Sequence, residues 1–115
     1  NKMKDFKFDY DKENDDLFIY LDGVKSEGAV ELGDLVLDFD AKGNLAAIEV
    51  IEASSFFSKL ISNAFEISKI KSLEVEIINF RNMNALRLKI ITPNQTFTQT
   101  ILVPKIVQGS PALMN

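Results

Sequence analysis

The chain contains no cysteine and no histidine. Without cysteine there are no disulfides, thiolate nucleophiles or cysteine metal sites. Without histidine there is no Ser-His-Asp triad, and both the commonest general base and the commonest zinc ligand are missing. Carboxylate, lysine, arginine, tyrosine and hydroxyl groups are left for any chemistry. Long apolar runs are also missing: none reaches the roughly 18 residues a membrane span requires. The N-terminal stretch NKMKDFKFDYDKEND is polar and acidic and does not read as a secretory signal, so a cytoplasmic location is expected. Positive charge is not in excess. The net charge of −4 weighs against non-specific nucleic-acid binding. Neither nucleic acid nor membrane is therefore an expected partner.

What is present fits one domain of 115 residues, with 46% hydrophobic and 26% charged residues. A chain of this size buries roughly 65% of the surface it exposes when unfolded, enough for a core without staples. The charge is uneven. Residues 1–58 carry six lysines and fourteen acids, giving −8; residues 59–115 carry seven lysines and arginines and three acids, giving +4. Such asymmetry can mark an interaction face. The plainer reading is an acidic loop, DYDKENDD, with the other charges scattered.

Periodicity sets the order of elements. KDFKFDY alternates, with Phe6, Phe8 and Tyr10 on one side; DLFIYL follows after a polar turn and pairs with it as a hairpin. DGVKSEGAVELGD reads mostly as loop, with a short edge strand around Ala29 to Glu31. LVLDF and LAAIEVIE form a second hairpin around DAKGN. The period then changes. Phe56, Phe57, Leu60, Ile61, Ala64 and Phe65 make one helical stripe, continuing toward Ile70, with Ser54 or Ser55 as its cap. SLEVEIINF, ALRLKII and TFTQTILV alternate again and read as a meander, joined by RNMN and TPNQ, with Pro93 and Asn94 in the latter's central positions. The expected fold is α+β: an antiparallel sheet of two hairpins plus a three-stranded meander, with one helix packed across it. The expected organisation is one domain over residues 1–115. Within it, residues 1–55 form a hairpin unit, 56–103 a helix-plus-meander extension, and 104–115 a tail, loosely held or docked on a partner.

One stretch raises a chemical question. DFDAKGNLAAIE places Asp38, Asp40, Gly43 and Glu49 at the spacing of a calcium-binding EF-hand loop. Lys42 puts a cation where that loop needs an oxygen ligand, and the flanks have strand periodicity rather than two helices. A hairpin accounts for every residue, with Gly43 supplying the positive φ of a bulge. In its simplest register Asp40 faces Asn44, Phe39 faces Leu45, Asp38 faces Ala46 and Glu49 faces Leu35. Asp38 and Glu49 would then lie on opposite faces. A second cluster, Asp9, Asp11, Glu13 and Asp15, alternates but has no glycine and no distal glutamate; it reads as a solvated loop. Glu49, inside an apolar strand, is expected to face solvent or to pair with Lys4, Lys7, Arg87 or Tyr20, because an unpaired buried charge is costly.

FDYDKENDDLFIYL, followed by LVLDFDAKGNLAAIEVIEAS, resembles a small prokaryotic family of unknown function, DUF family 2283. Its pattern runs YDxExDxLYIxL and then DYDxxGxLxGIEIxxAS. Tyr10, Asp11, Glu13, Asp15, Leu17, Ile19 and Leu21 match the first half; Asp38, Asp40, Gly43, Leu45, Ile48, Glu49, Ala53 and Ser54 match the second. Phe39 and Val50 stand for similar residues, and Ala47 replaces a small glycine. The resemblance covers positions 6 to 55. It implies a compact hairpin unit with no assigned catalysis, and it makes a toxin-like protein partner conceivable.

No residue is assigned as catalytic, cofactor-binding or metal-binding, and no cofactor is expected. The functional expectation is a non-enzymatic protein–protein interaction module, forming a homo-oligomer through an apolar sheet face. The alternative is a metal-dependent hydrolase or nuclease built on Asp9, Asp11, Asp38, Asp40 and Glu49, since clustered carboxylates can hold ions that activate water.

Overall fold

The structure, a computed structural model, describes residues 2–60, 67–79 and 83–104. Its strands are β1 (Lys2–Asp11), β2 (Asp16–Tyr20), β3 (Gly28–Leu32), β4 (Leu35–Phe39), β5 (Leu45–Val50), β6 (Ser72–Asn79), β7 (Met83–Ile91) and β8 (Thr96–Pro104). Helix α1 spans Ala53–Leu60, and a 3-10 turn spans Ile67–Lys69. All strand pairings are antiparallel, in one sheet ordered β3-β4-β5-β2-β1-β6-β7-β8. The α+β class with an antiparallel sheet is as expected. The segment read mostly as loop supplies a full edge strand, β3, turned back on β4 through Gly33 (φ 59°) and Asp34. A glycine in the first position of a two-residue turn removes the steric cost of positive φ.

β1 joins two halves of the sheet. Its residues 2–6 pair with β6 and its residues 7–11 with β2, so the strand changes neighbours between Phe6 and Lys7. Alternation gives the sheet two different faces. The inner face carries Phe6, Leu17, Ile19, Leu35, Leu37, Ile48, Val50, Leu73, Val75, Leu86, Leu88, Ile90 and Val103, all buried in one cluster. That cluster runs from β4 to β8, so the halves share a core.

α1 covers part of this face. Ala53 and Phe57, one helical turn apart, are both buried in the cluster, and the Phe56 and Phe57 rings meet edge to face at 5.3 Å. The described helix is eight residues long. The stripe's Ile61, Ala64 and Phe65 lie outside the described residues, as does the side chain of Leu60. The approach to Ile70 is a 3-10 turn rather than more α-helix, and Ile67 and Ile70 return to the core. Of the tail, only Pro104 is described, and it ends β8.

Candidate functional site: an acidic outer face around Phe18

The β4–β5 turn settles the reading of DFDAKGNLAAIE. Asp40 N–H donates to the Asn44 carbonyl at 2.8 Å, Gly43 N–H donates to the Asp40 carbonyl at 3.0 Å, and Gly43 has φ 83°. The Asp40 carboxylate accepts from the N–H groups of Lys42 and Asn44, each at 2.9 Å. Those bonds hold its carboxyl below the usual carboxylate range, the Asn44 N–H having the largest effect. Asp40 is therefore the turn's own cap, and the flanks are strands rather than EF-hand helices.

The register differs from the simple one in a consequential way. Phe39 pairs with Leu45, but Asp38 pairs with Ala47. Ala46 is the extra residue on the β4 side, while on the β2 side its carbonyl accepts the Leu21 N–H at 2.9 Å. One inserted residue shifts every later pair by one. Glu49 consequently faces Val36 instead of Leu35. Asp38 and Glu49 share the outer face and do not splay to opposite sides. Nor is β5 apolar on both sides: Ala47 and Glu49 point outward, and Ile48 and Val50 inward.

Registers across the outer face place Asp9, Phe18, Glu49, Val36 and Glu31 in one row across β1, β2, β5, β4 and β3. The neighbouring row runs Lys7, Tyr20, Ala47, Asp38 and Ala29. Asp16, two positions before Phe18 on β2, shares this face. Phe18 is 43% exposed at the centre. Burial pushes the Glu49 carboxyl above its ordinary value, and the negative charges of Asp16 and Asp38 add to the rise.

Among the described residues no cation pairs with Asp9, Asp16, Glu31, Asp38 or Glu49. Of the partners expected for Glu49, Lys7 bonds Asp22 at 2.9 Å and Arg87 bonds Glu76 at 2.9 Å, and neither Lys4 nor Tyr20 pairs with it among the described residues. The outer face of β6 and β7 is different, because Glu76–Arg87 and Glu74–Lys89 (3.7 Å) neutralise each other across the strands.

The remaining acids have local tasks. Asp11 accepts from the N–H groups of Glu13 (3.1 Å) and Asn14 (3.3 Å) and from the Asn14 side-chain amide (2.8 Å). Asp15 ties the β1–β2 turn to α1. Its backbone carbonyl accepts the Ala53 N–H at 2.8 Å, and its carboxylate accepts the Ser54 N–H at 3.1 Å, the Ser54 hydroxyl at 2.7 Å and the Tyr10 hydroxyl at 2.6 Å. The helix cap thus comes from Asp15, and Ser54 is its donor; the serine was expected to be the cap. Burial pushes the Asp15 carboxyl up, but the bonds from Ser54 and Tyr10 together outweigh it and hold the group below its ordinary value. The same bond to Asp15, then burial, pushes the Tyr10 hydroxyl up to about 12. No cluster of three or more acids suited to an ion occurs among the described residues. Asp9, Asp11, Asp38, Asp40 and Glu49 do not converge.

A predominantly antiparallel α+β domain with an acidic, aromatic-centred outer face is the class these features define. Residues 7–54 match the family described as "Protein of unknown function (DUF2283)". The matched span covers β2 to β5, the second half of β1 and the first residues of α1, including the Tyr10, Asp15 and Ser54 staple. The chain is 34% identical over 76 residues to "Uncharacterized protein MJ0789" of Methanocaldococcus jannaschii, covering 63% of this chain and 66% of that one. It is 36% identical over 52 residues to a Methanosarcina mazei protein named "Putative hypoxanthine phosphoribosyltransferase", covering 45% of this chain and 42% of that one. The chain thus spans just under two thirds of the first relative and about two fifths of the second. No solved structure matches.

Proposed function

We propose that the chain is a non-enzymatic protein-interaction domain whose contact surface is the outer face of β2, β5 and β4. Its partner presents lysine or arginine side chains around an apolar contact. The single observation that carries this reading is Phe18, exposed at 43% among Asp9, Asp16, Asp38 and Glu49, which no cation of the described chain neutralises. An aromatic anchor gives area, and surrounding charges of one sign give orientation and partner choice. A half-buried Glu49 amid other acids is unfavourable in the free chain, and an incoming cation relieves it. A toxin-like partner of the kind the resemblance implies fits if its contact surface is basic. The phosphoribosyltransferase name stays with the relative that carries it, and no observation favours the hydrolase alternative.

A labelled amphipathic peptide of alternating lysine and leucine tests the surface. Binding followed by fluorescence anisotropy is expected to weaken as salt rises. It is also expected to fall at least about tenfold in Phe18→Ser and in the double variant Asp38→Asn, Glu49→Gln, a loss of about 1.4 kcal/mol or more. Equal binding by the wild type and both variants would remove the reading. Melting in calcium, magnesium and manganese tests the alternative. An ion bound at about 100 times its Kd would add ~2.7 kcal/mol to stability.

A further inference from the structure

The two edges of the sheet are built differently. β3, one edge, is five residues long, starts at Gly28 and carries Glu31. β8, the other edge, is nine residues long and reads TFTQTILVP, with no charged side chain. Its register with β7 runs uninterrupted through nine pairs, from Met83↔Pro104 to Ile91↔Thr96. Among the described residues no further strand lies beyond β8 in the sheet. Long edges are normally blunted by a bulge, a mid-strand proline or a charge, because their free N–H and C=O groups are a template for another strand. β8 has none of these before Pro104, and Leu102 stands 62% exposed on its outer face.

We infer that β8 is a self-association edge, pairing antiparallel with β8 of a second copy across a two-fold axis. Main-chain pairing requires that the occupant be a strand. A second copy meets that need, and the strand suits itself. An antiparallel pair of identical strands is isologous, each copy offering the same patch. The register that engages all nine residues centres on Thr100. It sets Thr100 against Thr100 and Thr98 against Leu102 on the outer face, and Phe97 against Val103 and Gln99 against Ile101 on the inner. Threonine pairs and aromatic–β-branched pairs are favourable neighbours across strands. Charge raises no obstacle on the adjacent strand, because Arg87 and Lys89 of β7 already pair with Glu76 and Glu74. The unpaired acids of the Phe18 face lie on β1 to β5, away from this edge. The inference does not rest on that face: a dimer through β8 leaves Phe18 free, and either reading can fail without the other.

Sedimentation velocity on the intact chain over a concentration series tests it. The wild type is expected to show a reversible monomer–dimer equilibrium. Thr100 is exposed, so Thr100→Lys and Thr100→Glu preserve the fold, which circular dichroism melting checks. Each places like charges opposite each other at the two-fold axis and is expected to raise the dimer Kd by at least about tenfold. An equimolar mixture of the two restores the dimer, because lysine then faces glutamate. A wild type that stays monomeric at its highest soluble concentration overturns the inference. So does a dimer indifferent to both substitutions, or a mixture no better associated than either variant alone.

Discussion

Among the described residues two non-glycine positions adopt positive φ, and only one uses its side chain there. Asp15 (φ 56°) accepts from Ser54 and Tyr10, whereas exposed Glu52 (φ 53°), just before α1, makes no such bond. A left-handed conformation costs an L-residue roughly 1–2 kcal/mol, and glycine avoids that while losing more chain entropy. Glu52→Gly is therefore expected to stabilise the fold by about 0.5–1 kcal/mol, read from the urea midpoint. Asp15→Ala loses the cap and keeps the strain, so a loss of about 2–3 kcal/mol is expected. Asp15→Asn tolerates the conformation and keeps one acceptor, and should lose about 1 kcal/mol. The pH dependence follows from the lowered carboxyl of Asp15. A carboxyl held low in the fold contributes stability above its unfolded pKa and loses it as pH falls through the folded value. Asp15→Asn should accordingly flatten the acid side of the melting-temperature profile. Glu49 has the opposite sign. Its raised carboxyl favours the protonated fold, so its contribution fades as pH rises through the folded value. Glu49→Gln is expected to gain roughly 0.2–1 kcal/mol at neutral pH, as for relief of a like-charge contact, with no gain once both states are protonated. A Glu49→Gln profile with no gain at neutral pH would mean that neither burial nor the neighbouring acids strain the Glu49 carboxylate.

At the scale of elements, legibility depended on contrast between neighbouring side chains. In β6 and β7, Leu73, Val75, Leu86 and Leu88 alternate with Glu74, Glu76, Arg87 and Lys89, so sequence alone separates inside from outside. The turn at Asp40–Asn44 was equally legible, because Asp40 and Gly43 each suit their backbone position. The bulge was not. Ala46 and Ala47 have the same side chain, so nothing local says which one is extra, and the error moved Glu49 to the wrong face relative to Asp38. The staple was hidden for another reason: Asp15 and Ser54 are 39 positions apart. The only sequence signal was that both belong to the family-like pattern, along with Tyr10. Helix α1 was legible as an element but not in its capping. Its anchor, Phe57, is 1% exposed. Phe57→Ala should cost about 3–5 kcal/mol, measured by urea unfolding, because its ring is the large side chain of the described helix that is fully buried in the core.

For the whole molecule, the boundary of the family match and the boundary of the core do not coincide. The match ends at Ser54, yet Leu17, Ile19, Leu37 and Ile48 of the matched span share one buried cluster with Leu73, Val75, Leu88 and Ile90 beyond it. β1 makes the dependence explicit. Among the described residues, its residues 2–6 find their strand partners only on β6, and Phe6, at the point where the strand changes neighbours, is buried. A fragment of residues 1–60 would keep β1 to β5 and α1 but expose that end of β1 and much of the inner face. A domain of such length buries only about 60% of its unfolded surface even when its core is complete, which leaves little margin. The fragment is therefore expected to lack a cooperative thermal transition by circular dichroism, while the full chain melts in one step. In the full chain, Phe6→Ala should lower amide-exchange protection in β2 and β5 and in β6 and β7 together, since the removed ring lies where the two halves meet. Protection lost on one side only, or a fragment that melts cooperatively, would mean that the first five strands are a self-sufficient unit and that the shared cluster is two cores in contact.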